Sequence, residues 1–303
     1  MERRTVAVVL NYQTARETVQ AVHTLSASRS PVSFTIVVDN ASGDDSVATL
    51  RAELDGATLI EAERNDGFAA GCNEGIRAAM QLGADRILLL NSDARLDPHA
   101  LGALERALDD NPHLGIVGPV VVERADPQIV QSLGMRYGVT TGRMRHHGFG
   151  RRYDAQAIPA LREVDGVSGC AMLVRRAVFE RIGLFFEDYF FGFEDLDLCL
   201  RARAAGLATA CVGDAVVPHE GNASIGRASP QRIYYATRNH LLLAARNSPT
   251  ELSMVRWLRA ASIAGLNFAF VLTTRQIPAR DGLAAFVRGL TDYRAGRYGR
   301  GER

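Results

Sequence analysis

Side chains able to do chemistry cluster in five short strings. Asn91-Ser92-Asp93 follows a leucine run. A carboxylate there can hold a divalent cation, since Mg2+ takes only one or two protein carboxylates and completes its shell with phosphate oxygens and water. A polar turn after a strand is the plain alternative, and Asp97 fits helix capping better than a second oxygen ligand. Val37–Ser42 puts Asp39 at a strand end, where an ionised, acceptor-only carboxylate can receive a base edge or a ribose, or can close an Asx turn. Asn65–Gly75 carries Gly67, Gly71 and Gly75 at every fourth position with Asn65 and Asn73 between them. That spacing lets a helix N-terminus approach a phosphate, or a helix pack tightly on a sheet. Tyr189–Gly206 sets Glu194, Asp195 and Asp197 at a helix start behind an aromatic crowd (Phe185, Phe186, Tyr189, Phe190, Phe191, Phe193). Desolvation there would make a carboxylate a better base, although acidic residues at a helix start also serve as caps. Val217–Ser224 holds His219 after a proline, with Gly221, Gly226 and Arg227 following; a lone histidine is more often structural than a ligand.

The elements that position these strings alternate regularly. Strands are expected at Thr5–Leu10, Phe34–Asp39, Thr58–Ala62, Arg86–Asn91 and Ile116–Val122. Between them, helices begin at a Thr14/Glu17 capping box, after Ser42 to Asp45, near Ala69, and at Asp97 with Pro98 in the first turn. Continuous Val/Ile/Leu strands between amphipathic helices make a mostly parallel sheet covered on both faces. Ligands bind such sheets beyond the carboxyl ends of the strands. Asn11-Tyr12, Asp39-Asn40 and Asn91-Ser92-Asp93 all end strands, so they share that edge. Residues 123–162 lack periodicity and contain a basic stretch with His146 and His147, which reads as a functional loop or a solvated excursion. Strand Ala171–Arg176 and a helix from Glu194 to Ala205 follow, His219 closes a short strand, and the chain is helical after Pro230.

Composition narrows the chemistry. The chain has 303 residues and a formal charge of +1, which argues against nucleic acid as a partner. All 35 basic residues are arginine. The missing lysine removes Schiff-base and pyridoxal-phosphate mechanisms and the P-loop, and the bias fits a GC-rich bacterial genome. No G-x-G-x-x-G occurs, which demotes a NAD-binding reading. Cys72, Cys170, Cys199 and Cys211 form no C-x-x-C pair and read as reduced thiols of a cytoplasmic protein.

Together the strings resemble the inverting glycosyltransferases of family 2, with the GT-A fold, and most of all their rhamnosyltransferase branch. The resemblance rests on VVLNY, VVDNAS, N-x-GFAAG-x-N-x-G, LLLNSD, SGCAMLVRR, FGFEDLDLCLR and a late histidine followed by YYATRN, in family order over about residues 5 to 245. It implies a catalytic domain over residues 1–228 (nucleotide-binding half 1–122, acceptor half 123–228) and a helical extension over 229–303. Asp39 would recognise the donor base; Asn11, Asn40, Asn65, Gly67, Asn73 and Ser92 would line the nucleotide pocket. Asp93, Asn91 and His219 would hold a divalent cation, Mg2+ or Mn2+, on the donor diphosphate. Asp195 would be the base, with Glu194 on the acceptor side. Arg227, Arg238 and Asn239 are candidate diphosphate or acceptor contacts. The implied donor is dTDP-rhamnose or a UDP-sugar, and the acceptor a surface glycan or lipid-linked saccharide. Two other classes compete. A sugar-phosphate nucleotidyltransferase would need a catalytic lysine, and a non-catalytic sugar-nucleotide-binding scaffold would not need Asp93, Asp195 and His219.

The tail adds a separate expectation. Ala260–Leu272 is apolar, broken by Asn267, too short to span a bilayer but long enough to lie in its interface, with Trp257, Arg256, Arg259 and Arg275 at its borders. From residue 275 on, seven arginines face three carboxylates. Anionic lipid on the inner face of the plasma membrane would attract such a tail; a helix packed on the catalytic domain or on the partner of a homodimer has the same pattern.

Overall fold

The computed structural model describes residues 3–221, 229–247, 252–274 and 276–301. The first half alternates β1 (Thr5–Asn11), α1 (Ala15–Ser26), β2 (Phe34–Asp39), α2 (Ser46–Glu53), β3 (Ala57–Glu61), α3 (Phe68–Gln81), β4 (Arg86–Asn91), α4 (Ala100–Asp110) and β5 (Leu114–Glu123). Short strands β6 (Val130–Ser132), β7 (Met135–Tyr137), β8 (Met144–His146) and β9 (Leu161–Val164) occupy the aperiodic segment. Then come β10 (Ala171–Arg175), α5 (Arg176–Ile182), α6 (Glu194–Ala204), β11 (Ala208–His219), α7 (Pro230–Arg246), α8 (Ser253–Thr273) and α9 (Ala279–Arg294).

The main sheet runs β3-β2-β1-β4-β10-β5-β11-β9, with β6 alongside β5. β1, β2, β3 and β4 are parallel, and β11 is parallel to β5. β10 enters antiparallel between β4 and β5. Period-two alternation places Ala7, Val9, Leu88 and Leu90 in one core with Val19 and Leu101, and Val6, Val8, Ile87 and Leu89 in the other with Ile76 and Leu198. Both faces are therefore buried, which is why the strands read as unbroken apolar runs.

Two expected helix starts differ. The Thr14/Glu17 capping box does not form: the Thr14 hydroxyl lies 3.0 Å from Ser92 Oγ, and Glu17 pairs with Arg95 and Arg124. Tertiary partners outcompete the local cap. α4 begins at Ala100 rather than at Pro98, because Asp97 takes the His99 and Ala100 amides into a turn first. His219 closes a strand of 12 residues, not a short one.

Candidate active site at the carboxyl edge

A hydrogen-bond chain links the strand tips. Asn11 Oδ1 accepts from Thr18 Oγ1 at 2.7 Å, which turns Asn11 Nδ2 toward Asp39 Oδ1 at 2.6 Å. Asp39 also accepts from the Ser42 amide and hydroxyl, an Asx turn, and is 2% exposed. Internal donors hold its carboxylate, and it is not among the residues lining the neighbouring cavity. Asn40 Nδ2 donates to Asn65 Oδ1 and the Gly67 carbonyl, both at 3.1 Å, while Asn65 Oδ1 also accepts from the Gly67 amide. Thr14 connects Asn11 to Ser92 on the next tip.

The glycines divide by job. Gly67 has φ +99°, and a Cβ there would overlap the Phe190 backbone; the Phe68 amide donates to the Phe190 carbonyl at 2.7 Å. Side chains at Gly71 and Gly75 would collide with Leu10 and Val8, so these two let α3 lie directly on β1. Asn73 does not reach the cavity. Its amide is engaged at both ends, accepting from the Phe185 amide and donating to the Phe185 carbonyl and Glu187, so it pins the 185–187 segment instead.

At the β4 tip, Asp93 Oδ1 lies 3.1 Å from His219 Nε2. β11 delivers the imidazole: residues 213–215 loop out of register with β5, after which the strand end bridges to Ala94 and receives the Arg95 amide on the Pro218 carbonyl. Gln131 Oε1 sits 3.0 Å from His219 Nδ1, and Gln131 Nε2 donates to the His219 carbonyl. An acceptor on Nδ1 puts a proton there, so Nε2 faces the Asp93 carboxylate with either a second proton or a lone pair. A carboxylate oxygen and an imidazole lone pair converging in this way fit a shared cation, with Asn91 at the same tip. Two protein ligands suit a Mg2+- or Mn2+-type ion that keeps positions for phosphate oxygens. Among the described residues no group of three or more His, Cys, Asp or Glu side chains is placed to hold a metal ion.

Asp195 stands across the 168–170 turn from this pair. Its Oδ2 accepts the Gly169 amide at 2.8 Å, and the Cys170 carbonyl accepts the Asn91 amide at 2.8 Å. Burial raises the Asp195 pKa, against the Gly169 and Leu196 amides and the nearby His146, which lower it. Glu194 is 6% exposed, one of its carboxylate oxygens has no hydrogen-bond partner, and burial followed by the Asp195 charge pushes its pKa up to about 8. Asp197 is structural, bound by Tyr189 Oη and Arg201. The four cysteines are buried free thiols; burial lifts Cys170, Cys199 and Cys211 to about 12 and Cys72 well above its usual range, so none is a nucleophile.

The loop that carries the acidic pair is strained and clamped. Phe190 (φ 58°) and Phe193 (φ 77°) adopt left-handed backbone. Asn239 Nδ2 donates to the carbonyls of Tyr189, Phe191 and Gly192. Arg238, fully buried, donates to the carbonyls of Asp188, Tyr189 and Gly299, to Tyr234 Oη and to Asn239 Oδ1. Phe190 stacks on Tyr235 and Phe193 on His240. Arg238 and Asn239 are therefore not diphosphate or acceptor contacts, since their donors are spent on backbone carbonyls in the interior. Arg227 lies outside the described residues.

A cavity of about 470 Å3 opens beside these tips. Tyr12, Gln13, Asn40, Asn65 and Gly67 line one side, and Phe190, Phe191, Tyr234, Tyr235, Arg288 and Arg300 the other. Its size is that of a small-molecule site. Gln131, Arg288 and Arg300 carry no motif in the sequence, whereas the lining residues Tyr12, Asn40, Asn65, Gly67, Phe190, Phe191, Tyr234 and Tyr235 lie in strings that do.

Comparison with known proteins identifies the family and the fold. Residues 3–238 match the family model described as "Glycosyltransferase like family 2". The dTDP-rhamnosyl transferase RfbF of Shigella flexneri is 26% identical over 271 residues, 84% of this chain and 85% of that protein. The N-acetylglucosaminyl-diphospho-decaprenol L-rhamnosyltransferase of Mycobacterium tuberculosis is 26% identical over 256 residues, 78% of this chain and 83% of that protein. Among solved structures, the mannosyltransferase PcManGT of Pyrobaculum calidifontis, in complex with GDP-Man and Mn2+, superposes with a TM-score of 0.61 at 16% identity, covering 98% of this chain and 89% of that one. S. aureus TarS 1-349 in complex with UDP-GlcNAc gives 0.55 at 15% identity, covering 98% and 93%.

Proposed function

The chain belongs to glycosyltransferase family 2 and has the GT-A fold, and from that premise we propose that it transfers rhamnose from dTDP-rhamnose to a hydroxyl of a surface glycan or lipid-linked saccharide, with inversion. The donor rests on the two rhamnosyltransferase relatives. The observation that carries the chemistry is the placement of Asp195 and the Asp93–His219 pair on either side of the 168–170 turn. The division into a catalytic domain, residues 1–228, and a helical extension, 229–303, belongs to the same reading.

Asp93 and His219, with Asn91 beside them, would hold a divalent cation. Such a cation neutralises the departing diphosphate, so no general acid is required. Asn40, Asn65, Gly67 and Tyr12 form the edge against which the nucleotide lies, while Asn11, Asp39 and Ser92 brace that edge from below. Asp195 takes the proton of the acceptor hydroxyl as its oxygen bonds to the anomeric carbon. The bond from that carbon to the diphosphate oxygen breaks, its electron pair leaves with the nucleoside diphosphate, and one in-line displacement inverts the centre. Glu194 and Asp195 are buried side by side, which disfavours a second negative charge on the pair.

Replacing Asp195 with Asn tests the assignment. Transfer should fall by 100-fold or more, about the contribution of a positioned base, while Mn2+-dependent dTDP binding measured by calorimetry stays within a factor of three or so. Normal turnover by Asp195→Asn would remove the base from this site.

The same reading puts the enzyme on the cytoplasmic face of a membrane. α8 is a continuous 21-residue helix, the one described helix long and apolar enough to cross a bilayer, and only 17% of its most apolar stretch is buried. The apolar run Ala260–Leu272, expected to be too short to span, lies inside this longer helix, where the Asn267 amide donates to the Ile263 carbonyl. Ile263 and Val271 pack inward, whereas Met254, Trp257, Leu258, Leu266, Phe270 and Leu272 face outward. An apolar face of that length suits the interface where a lipid-linked acceptor resides.

A further inference from the structure

The C-terminal wall of the cavity lies beyond the family match, which ends at residue 238. Its charge is one-sided: among the described residues, Arg288 and Arg300 line the cavity and no carboxylate does. Arg288 sits over the Tyr234 ring, its guanidinium carbon 4.5 Å from the centroid, and neither arginine has an ion pair among the described residues. The backbone beneath them is fastened by other groups. The Gly299 amide donates to the Asp188 carbonyl at 2.8 Å, Arg238 donates to the Gly299 carbonyl at 2.7 Å, and the Gly301 amide donates to Tyr235 Oη at 3.2 Å. Gly301 also lies so close to Tyr234 that a Cβ would stand 2.5 Å from its ring. The tail is thus held against α7 while its two guanidiniums remain available to a ligand.

Two uncompensated guanidiniums on a cavity otherwise lined by aromatic rings and neutral amides select an anion, and the planar fork of arginine matches phosphate oxygens two at a time. We propose that Arg288 and Arg300 bind the diphosphate group of a substrate in this cavity. This rests on the reading that nucleotide-sugar chemistry occurs at the adjoining strand tips. The diphosphate belongs either to the nucleotide donor or to a lipid-linked acceptor, and both offer the same oxygens to the same pair.

The test is calorimetry on the full chain with Mn2+, titrating dTDP and, separately, geranyl diphosphate, with thymidine and geraniol as phosphate-free controls. Each guanidinium lost should weaken the relevant diphosphate about 10-fold, so Arg288→Ala with Arg300→Ala should weaken it about 100-fold and flatten its salt dependence. The phosphate-free controls should not change, and Arg300→Lys should recover part of the loss. A selective loss of dTDP assigns the donor; a selective loss of geranyl diphosphate assigns the acceptor. Both side chains are exposed, so the variants should melt with the parent. Parent-like binding of both diphosphates by the double variant, with the parent binding dTDP, overturns the inference and leaves the proposed function standing. A parent chain that binds neither diphosphate overturns both.

Discussion

Arg238→Lys separates a bracket from a ligand contact. In the parent, one buried guanidinium reaches three carbonyls, those of Asp188, Tyr189 and Gly299, besides Tyr234 Oη and Asn239 Oδ1. A lysine ammonium has three donors radiating from one point and cannot span the loop at 188–189 and the tail at 299 together. The Tyr189 carbonyl keeps Asn239 as a donor and the Asp188 carbonyl keeps the Gly299 amide, so the Gly299 carbonyl is the one exposed to loss. A buried acceptor left without a partner costs about 1–3 kcal/mol, so the variant should lose about that much stability. For a chain of this length that is a fall in Tm of about 2–10 °C. Urea denaturation followed by tryptophan fluorescence gives the free energy, and dTDP titration gives the affinity. Because the clamp also holds the strained Phe190–Phe193 turn before Glu194 and Asp195, kcat should fall more than the donor KM rises. A variant as stable as the parent but 10-fold weaker for dTDP would mean that Arg238 touches the substrate, and the clamp would be wrong.

Further outcomes follow from the same geometry. Glu194 binds a proton in the folded state up to about pH 8 but in the unfolded chain only to about its ordinary value of 4.5, so folding should weaken as pH rises from about 5 to 8. Glu194→Gln should flatten that slope in urea titrations at a series of pH values, and an unchanged slope would assign it to other groups. His219→Ala should weaken Mn2+ binding, followed by electron paramagnetic resonance, at least 10-fold, whereas equal Mn2+ affinity would leave His219 outside the metal site. Trp257→Ser with Phe270→Ser should lower co-sedimentation with anionic vesicles several-fold at low salt; vesicle binding that survives both changes would move the docking face elsewhere.

The alternation of strands and helices through residue 123 was legible because a sheet buried on both faces writes itself as apolar runs. β2 and β4 coincide with the expected Phe34–Asp39 and Arg86–Asn91, and the polar residues that stop those runs mark the ligand edge. Helix starts were less legible: Thr14 has a capping residue's chemistry, yet Ser92, 78 positions away, is its partner.

Sequence alone determined the composition limits, the parallel half of the sheet and the identities of Asp93, Asp195 and His219 as candidates. Only the tertiary structure decided their company. β10 slips antiparallel between β4 and β5, and the register break in β11 carries His219 across to Asp93. Arg238 and Asn239 look from sequence like ligand contacts and prove to be internal clamps, while Arg288 and Arg300, unremarkable in sequence, line the cavity. Local spacing encodes which face of an element is apolar, because that depends on a period of two or 3.6 residues. Which polar group meets which across 50 or more positions depends on chain crossings that no local period records.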